Sequence, residues 1–177
     1  YLGEYLDIHC GGVDNKFPHH TNEIAQIESY VGHNWCKYWF HVEHLNVASG
    51  KMSKSEGNFL TIEKLIEQGY SPMIYKFFCL QSHYRKPLLY SVEGMNSAKS
   101  AYNKLVKRIS EIDNEGVLDK TIFVEYNNNF KNALSNDLNS SMALTILFDV
   151  LKANTNGKTK RELIKSFDSV LNLNLLN

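Results

Sequence analysis

The sequence predicts an α/β region followed by an all-α region. Short runs rich in β-branched and aromatic residues, separated by Gly-containing turns, occupy roughly the first third of the chain. After Pro87 the apolar residues recur at helical spacing almost to the end. A strand-bearing segment followed by a helical one indicates two units that meet near residues 60–90.

The first segment contains the expected strands and one helix. Leu6 to His9 predicts a strand that ends in the tight loop at Gly11 and Gly12. Pro18 is expected to be the first helical residue, because its fixed φ suits that position. One apolar stripe of this helix is formed by Ile24, Ile27 and Val31. Residues 37–47 are expected to be extended, and a polar loop follows them.

The remaining elements are predicted to be helices. Thr61 is expected to cap a short helix that ends at Gly69, and Ser71 with Pro72 begins another. Ser91 is the expected N-cap of the first long helix. Apolar stripes that would pack into a bundle are formed by Val92, Met95, Tyr102, Leu105, Ile109 and Ile112, by Phe123, Tyr126, Phe130 and Leu134, by Ala143, Ile146, Leu147 and Val150, and by Leu163, Ile164, Phe167, Val170 and Leu171.

Composition excludes several classes of protein. Lys plus Arg and Asp plus Glu are both 19, so a nucleic acid could be attracted only by a local basic patch. The 3 cysteines contain no Cys-x-x-Cys pair, which disfavours a disulfide framework and favours a reducing compartment. No apolar run approaches the ~18–20 residues of a membrane span. A cytoplasmic protein without a membrane segment is expected.

The segment Lys51-Met52-Ser53-Lys54-Ser55 is the first candidate for chemistry. Its ammonium and hydroxyl groups, on a loop flanked by glycines, can close over a triphosphate and stabilise the charge that develops on pyrophosphate. A generic Lys-x-x-Lys pattern would more often be a solvated basic turn. The whole string, however, resembles the KMSKS loop of class I aminoacyl-tRNA synthetases. That resemblance implies that Lys51 and Lys54 are catalytic and that Lys54 contacts ATP most directly.

A histidine and a glutamate form the second candidate. His19 and Glu23 are four residues apart at the start of a predicted helix, so their side chains project from one face. An imidazole and a carboxylate placed in this way can bind one zinc ion. The pair by itself could equally consist of surface or core residues.

The surrounding segment resembles the cysteinyl-tRNA synthetase family, which carries D-I-H-G-G-G-x-D followed by F-P-H-H-E-N-E. This chain departs from the pattern at Cys10, where the family has Gly, and at Thr21, where it has Glu. The resemblance implies that His19 and Glu23 bind Zn²⁺, with two cysteines that lie before Tyr1 as the other ligands. The metal would then select cysteine, because a thiolate is a better ligand than the hydroxyl of serine.

The same resemblance assigns nucleotide-binding residues. Gly11 and Gly12 would let the backbone approach ATP where a Cβ would obstruct it, and Asp14 would accept hydrogen bonds from the ribose hydroxyls. His9 would line the amino-acid pocket, although a structural role for this histidine remains open. A third segment, from Asn136 to Leu144, resembles the turn of the family's helical domain, so that the resemblance extends from about Asp7 to about Leu171.

The family resemblance implies a division of the chain and an activity. Residues 1–60 would be the second half of a class I, Rossmann-like catalytic domain with a parallel sheet. Residues 61–90 would be a connecting region, and residues 91–177 a helical bundle that docks tRNA. The implied protein is a cysteine–tRNA ligase that activates L-cysteine with ATP and Mg²⁺ and transfers it to tRNA(Cys). It is expected to be a monomer.

Three further expectations follow. The segment alone should be inactive, because the H-I-G-H-like motif of class I enzymes does not occur in it. One alternative is a ligase that joins cysteine to an amino sugar through the same adenylate chemistry. A second alternative is a non-catalytic module that binds tRNA or zinc.

Overall fold

The computed structural model describes residues 3–47, 50–51 and 60–176, without the side chains of residues 50 and 51. The first part contains β1 (Leu6–Gly12), a 3-10 turn (Val13–Lys16), α1 (His19–Val31), β2 (Cys36–Val42), β3 (Leu45–Val47) and β4 (Gly50–Lys51). The second part contains α2 (Ile62–Glu67), α3 (Pro72–Leu80), β5 (Leu88–Tyr90), α4 (Val92–Ser110), α5 (Lys120–Ser135), α6 (Ser140–Lys152) and α7 (Gly157–Leu171).

The chain divides into two compact units. The first contains residues 1–46 and 84–89, and the second contains residues 47–83 and 90–177. The division into residues 1–60, 61–90 and 91–177 stays a prediction. Among the described helices, none is long and apolar enough to cross a membrane. The three cysteines are free thiols.

The first unit is built around a parallel pair of strands. β1 and β2 run side by side, with Leu6 opposite Cys36 and Gly12 opposite Val42, and α1 lies between them in the sequence. Parallel neighbours need such a crossover connection. A second sheet has the strand order β4, β3, β5. The expected extended segment at residues 37–47 is therefore confirmed, although it is divided into two strands, and β5 was not expected.

Helix α1 begins one residue later than the sequence predicted. Pro18 is the N-cap residue, with φ of −93°, and the first helical residue is His19. The Pro18 carbonyl accepts a hydrogen bond from the Asn22 amide at 3.0 Å. Gly32 ends the helix at a φ of +77°, a left-handed conformation that favours glycine.

The two predicted side-chain caps, Thr61 and Ser91, are confirmed, and Ser71, predicted only to begin a helix, is a third. Thr61 accepts a hydrogen bond from the Lys64 amide, Ser71 from that of Ile74, and Ser91 from that of Gly94. Each hydroxyl satisfies one backbone donor that has no partner within its helix. The unpredicted caps of the later helices are Asp119, Asn139 and Asn156.

The second unit has a helical core that agrees closely with the predicted stripes. Its fully buried side chains include Phe77, Met95, Leu105, Ile109, Leu147, Leu163, Ile164 and Phe167. For two residues of the predicted stripes the expected burial is wrong, because Val92 is 58% exposed and Val170 is 61% exposed. Leu173 and Leu175, which follow α7, are buried, and the Tyr102 hydroxyl donates to the Leu173 carbonyl at 2.7 Å.

Candidate active site and metal centre

The paired strands β1 and β2 present one face to helix α1. Paired residues lie on the same face of a sheet, so His9 and Gly11 share a face with Trp39 and His41, their register partners. Cys10 lies on the opposite face, because side chains alternate along a strand, and it is exposed. This alternation separates the Cys10 thiol from the histidine-bearing face.

Three potential metal ligands meet on this face. One ligand atom each from His9, His20 and Glu23 lies within 4.8 Å of the others. The His9 Nε2 is 2.8 Å from the Glu23 Oε2, and the His20 Nε2 is 4.0 Å from the same oxygen. His20 and Glu23 are one turn apart on α1, which places both on the side that faces β1. We call His9, His20 and Glu23 the ligand cluster.

A fourth histidine holds the ring of His20. The Nδ1 of His20 lies 2.8 Å from the Nε2 of His41. Burial, followed by the positive charges of His20 and Lys16, lowers the pKa of His41 below its usual value. When both rings are neutral, His41 can accept a hydrogen bond from the His20 Nδ1–H. In that tautomer the Nε2 of His20, 4.0 Å from the Glu23 Oε2, carries the lone pair that a metal ion needs. Partners of this kind fix the tautomer and orientation of metal-binding histidines.

Two tryptophans enclose the imidazoles. The ring centroid of Trp39 lies 4.8 Å from that of His9 and 4.9 Å from that of His20. Trp35 lies 5.6 Å from His9, and its backbone amide donates to the Glu28 carboxylate at 3.1 Å. The aromatic surface leaves His20 only 6% exposed. His20 is therefore covered by the aromatic rings, whereas the side chains of His9 and Glu23 are half-buried and remain accessible to solvent.

Gly11 and Gly12 provide space for side chains of the protein itself. A Cβ at Gly11 would lie 2.6 Å from the Cε1 of His20, too close for an ordinary contact. A Cβ at Gly12 would collide with the Oδ1 of Asp14. Both glycines thus leave space for neighbouring groups, which in this structure are His20 and Asp14. Their role in nucleotide binding stays a prediction.

The donor chemistry of the ligand cluster fits zinc. Two imidazole nitrogens and one carboxylate oxygen are ligand types that Zn²⁺ uses in proteins, at metal–ligand distances that place neighbouring donors roughly 3.3 Å apart in a tetrahedron. The separations of 2.8 Å and 4.0 Å lie on either side of that value. Small side-chain rotations would therefore place the three donors around one ion.

The structure brings some of the sequence-predicted residues together and leaves others apart. His9 and Glu23 lie in the ligand cluster, whereas the predicted zinc ligand His19 is exposed and lies outside it. Asp14 lies in the 3-10 turn directly after β1, at the carboxyl end of that strand. Lys54 lies outside the described residues, as does the side chain of Lys51.

Sequence reasoning missed the contributions of His20, His41 and the tryptophans. His20 directly follows His19 on the same helix turn, but its side chain faces β1 and lies near Glu23, whereas His19 is exposed. The role of His19 as a zinc ligand stays a prediction. His41 lies in a segment predicted to be extended, but its proximity to His20 depends on the register of β2 against β1. A strand pattern in a single sequence does not contain that register.

Comparisons with known proteins agree with this architecture. A family model described as the class I (C) tRNA synthetase catalytic domain matches residues 1–100. The cysteine–tRNA ligase of Brachyspira hyodysenteriae is 42% identical over 98% of this chain and 40% of that protein. Those of Thermococcus onnurineus and Bacillus velezensis are 42% and 36% identical, over 97% and 99% of the chain. The chain spans 38–42% of the length of these relatives.

Solved structures show the same fold at low sequence identity. The leucyl-tRNA synthetase of Agrobacterium radiobacter K84, in a ternary complex with tRNA, matches 96% of this chain with a TM-score of 0.65 and 14% identity. The methionyl-tRNA synthetase of Mycobacterium tuberculosis, bound by methionyl-adenylate, matches 94% with a TM-score of 0.57 and 15% identity. The predicted fold class is thereby confirmed. With its first 100 residues matched by the family model, the chain belongs to the class I (C) tRNA synthetase catalytic-domain family.

Proposed function

We propose that this chain is part of a cysteine–tRNA ligase, an aminoacyl-tRNA synthetase that serves protein synthesis. The ligand cluster on one face of β1 carries the proposal, within a chain whose relatives named above are cysteine–tRNA ligases. Because the chain spans about 40% of the length of those relatives, the activity is proposed for the full-length protein.

The proposed substrate-selecting group is a zinc ion bound by Glu23 and neighbouring imidazoles. His19 is the histidine ligand that the family resemblance implies, and His9 and His20 are the imidazoles that lie nearest to Glu23. A bound zinc ion would accept the cysteine thiolate in preference to the hydroxyl of serine. One of these imidazoles, Glu23 and two cysteine ligands outside this chain would make up the four ligands of a tetrahedral zinc site. The His41–His20 hydrogen bond would orient the metal-facing nitrogen of His20.

The proposed nucleotide site lies beyond the carboxyl end of β1. Ligands of open parallel sheets bind at this edge of the sheet. Gly11 and Gly12 would admit ATP to the backbone, and Asp14 would accept hydrogen bonds from its ribose hydroxyls. Lys51 and Lys54 would stabilise the negative charge that develops on the leaving pyrophosphate, with Mg²⁺ accompanying ATP.

The proposed reaction has two steps. In the first, the carboxylate of L-cysteine attacks the α-phosphate of ATP, a bond to the pyrophosphate breaks, and cysteinyl-adenylate forms. In the second, a hydroxyl at the 3′ end of tRNA(Cys) attacks the activated carbonyl carbon, and AMP leaves. This chain contributes positioning and charge stabilisation, which account for much of the catalysis of such transfers.

The helical unit is proposed to dock tRNA. Its helix α4 carries Lys104, Lys107 and Arg108 on exposed positions, and Lys107 lies 4.0 Å from Glu111. Basic side chains of this kind contact the phosphate backbone and position a nucleic acid without reading its sequence. We further propose that the protein is a cytoplasmic monomer.

The test of this function is cysteine-dependent exchange of pyrophosphate into ATP by the purified full-length protein, followed by charging of tRNA(Cys). Exchange should require cysteine and be far weaker with serine at the same concentration. The control is Glu67→Gln, an exposed carboxylate on α2, compared with Glu23→Gln. Glu23→Gln should impair cysteine-dependent exchange, and Glu67→Gln should not.

Other outcomes would contradict the proposal. Exchange followed by acylation of an amino sugar, with no charging of tRNA, would identify the amino-sugar ligase instead. Binding of tRNA or zinc without any exchange would identify a non-catalytic module.

A further inference from the structure

The carboxyl ends of β1 and β2 bring an aspartate and a histidine together. The two strands end level with each other, because Gly12 pairs with Val42. Asp14 follows the end of β1 and His44 follows the end of β2. The His44 Nε2 lies 3.7 Å from the Asp14 Oδ1. Both side chains therefore lie at the edge of the parallel pair where ligands of such sheets bind.

Gly12 lies between these two side chains. A Cβ at this position would collide with the Asp14 carboxylate and would lie 3.6 Å from the His44 Cε1. The absence of that Cβ is what allows Asp14 to lie close to the end of β1. Asp14, His44 and the Gly12 backbone thus lie beside one another at the strand ends.

The backbone of His44 is held on both sides. Its carbonyl accepts a hydrogen bond from the Leu88 amide at 3.0 Å, and the preceding Glu43 amide donates to the Tyr84 carbonyl at 2.8 Å. The imidazole itself is only half-buried, and the Asp14 carboxylate is more exposed. A fixed backbone with accessible side chains is the arrangement expected of groups that contact a ligand. An exposed polar contact of this kind contributes little to stability.

We propose that His44 is a positioning residue of the nucleotide site, which holds the Asp14 carboxylate so that it accepts hydrogen bonds from the ribose hydroxyls of ATP. The proposal rests on the proposed function, in which Asp14 contacts the ribose. The separation of 3.7 Å is longer than a hydrogen bond. Contacts in ligand-free sites are often long and shorten when the substrate binds.

The chemistry explains why a histidine is useful here. A carboxylate has two oxygens and can accept from both hydroxyls of a ribose while a third donor fixes its rotation. An imidazole N–H supplies that donor from the side opposite the ligand. Loss of this donor removes one of the contacts that order the carboxylate, and restoring that order on binding weakens the affinity for the nucleotide.

The experiment compares the affinity of the full-length protein for ATP and for 2′,3′-dideoxy-ATP, which lacks both hydroxyls. His44→Phe keeps a ring but removes the donor, and should weaken ATP binding by about tenfold, the net contribution of roughly one hydrogen bond. Its binding of the dideoxy nucleotide should change by less than about twofold. His44→Gln, which restores an N–H donor, should bind ATP nearly as well as the parent.

Two further variants test the coupling and the specificity. Asp14→Asn should lose ATP affinity, and adding His44→Phe to it should cause no further loss, because both changes act on one contact. His33→Phe is the matched control. His33 stacks on Tyr5 with ring centroids 4.3 Å apart and precedes the start of β2, at the other end of the strand. The His33→Phe variant should bind ATP and 2′,3′-dideoxy-ATP with the same affinities as the parent protein.

The inference is overturned if His44→Phe binds ATP as tightly as the parent, or if it weakens both nucleotides equally. Equal weakening would indicate a general structural effect, which a lowered melting temperature would also reveal. A parent protein that binds neither nucleotide would refute the proposed function together with this inference. A parent that discriminates between the nucleotides, with His44→Phe unchanged, would refute this inference alone.

Discussion

The Nδ1 of His20 on α1 and the Nε2 of His41 on β2 are 2.8 Å apart. This contact joins a helix and a strand that are 21 residues apart in sequence, and it determines which nitrogen of His20 faces Glu23. Burial lowers the pKa of His41, which favours its neutral form, and a neutral His41 can accept a hydrogen bond from the Nδ1–H of His20. The orientation of the ligand cluster thus depends on a residue that is not itself in the cluster.

The first prediction concerns the metal. Glu23→Gln should weaken zinc binding to the full-length protein by at least about 10–100-fold, the loss that even outer partners of a metal site cause. The loss is measured by competition with a chromophoric chelator. Matched His19→Asn and His20→Asn variants identify the imidazole ligand. The variant that lacks this ligand should lose zinc affinity as Glu23→Gln does. Unchanged affinity in all three variants would exclude zinc at this site.

The second prediction concerns Gly11. Gly11→Ala places a Cβ 2.6 Å from the Cε1 of the His20 ring and 2.9 Å from the side-chain Nδ2 of Asn15, so the buried ring must move. Overpacking of this kind costs about 1–3 kcal/mol of stability, measured by urea unfolding, and should also weaken zinc binding.

The control for this variant is Gly32→Ala. Gly32 has a φ of +77° and open space around its missing Cβ. Its replacement should cost about 1–2 kcal/mol through backbone strain while leaving zinc affinity unchanged. Equal zinc affinity in Gly11→Ala and the parent would contradict the role assigned to Gly11.

The third prediction concerns Lys54, which lies outside the described residues and whose role follows from the KMSKS resemblance. In the full-length protein, Lys54→Ala should lower the maximal rate of pyrophosphate exchange by about 10²–10³-fold, as removal of one transition-state donor does. Lys37→Ala, an exposed lysine of β2, is the control. A variant with the parent's maximal rate and only a raised KM for ATP would contradict transition-state stabilisation.

The fourth prediction concerns alkaline stability. Burial, followed by interactions with Cys79, raises the pKa of Tyr75 to about 12. An unfolded tyrosine has a pKa of about 10, so above that pH the unfolded chain releases a proton that the folded chain retains. The stabilising contribution is complete below pH ~10 and is lost as pH rises toward ~12.

Tyr75→Phe should therefore reduce the decline of the urea midpoint between about pH 9.5 and 11.5. Tyr90 and Tyr102, whose pKa values are also raised by burial, remain in both proteins. The comparison thus reports Tyr75 together with its hydrogen bond to Cys79, whose pKa is itself raised by burial. Tyr30→Phe, at a side chain that is 91% exposed, should leave the decline unchanged. An identical decline in the parent and Tyr75→Phe would contradict the prediction.

The sequence by itself determined the local elements of this protein. The helices that begin after Thr61, Ser71 and Ser91 follow from a capping hydroxyl and an apolar stripe, both of which lie within a few residues of each other. The sequence also identified the chemically unusual segments, because the strings around Glu23 and Lys54 carry the family resemblance without any knowledge of the fold.

The tertiary structure decided which residues meet. The register of β2 on β1 places His41 beside His20, and the backbone hydrogen bond from Leu88 holds His44 near Asp14. It also exposed Val170 and buried Leu173, although both are apolar residues near the end of one helix. Periodicity reports only which side chains share a face of an element. Which other element of the protein covers that face depends on contacts between segments distant in sequence. Those contacts form only when the whole chain folds.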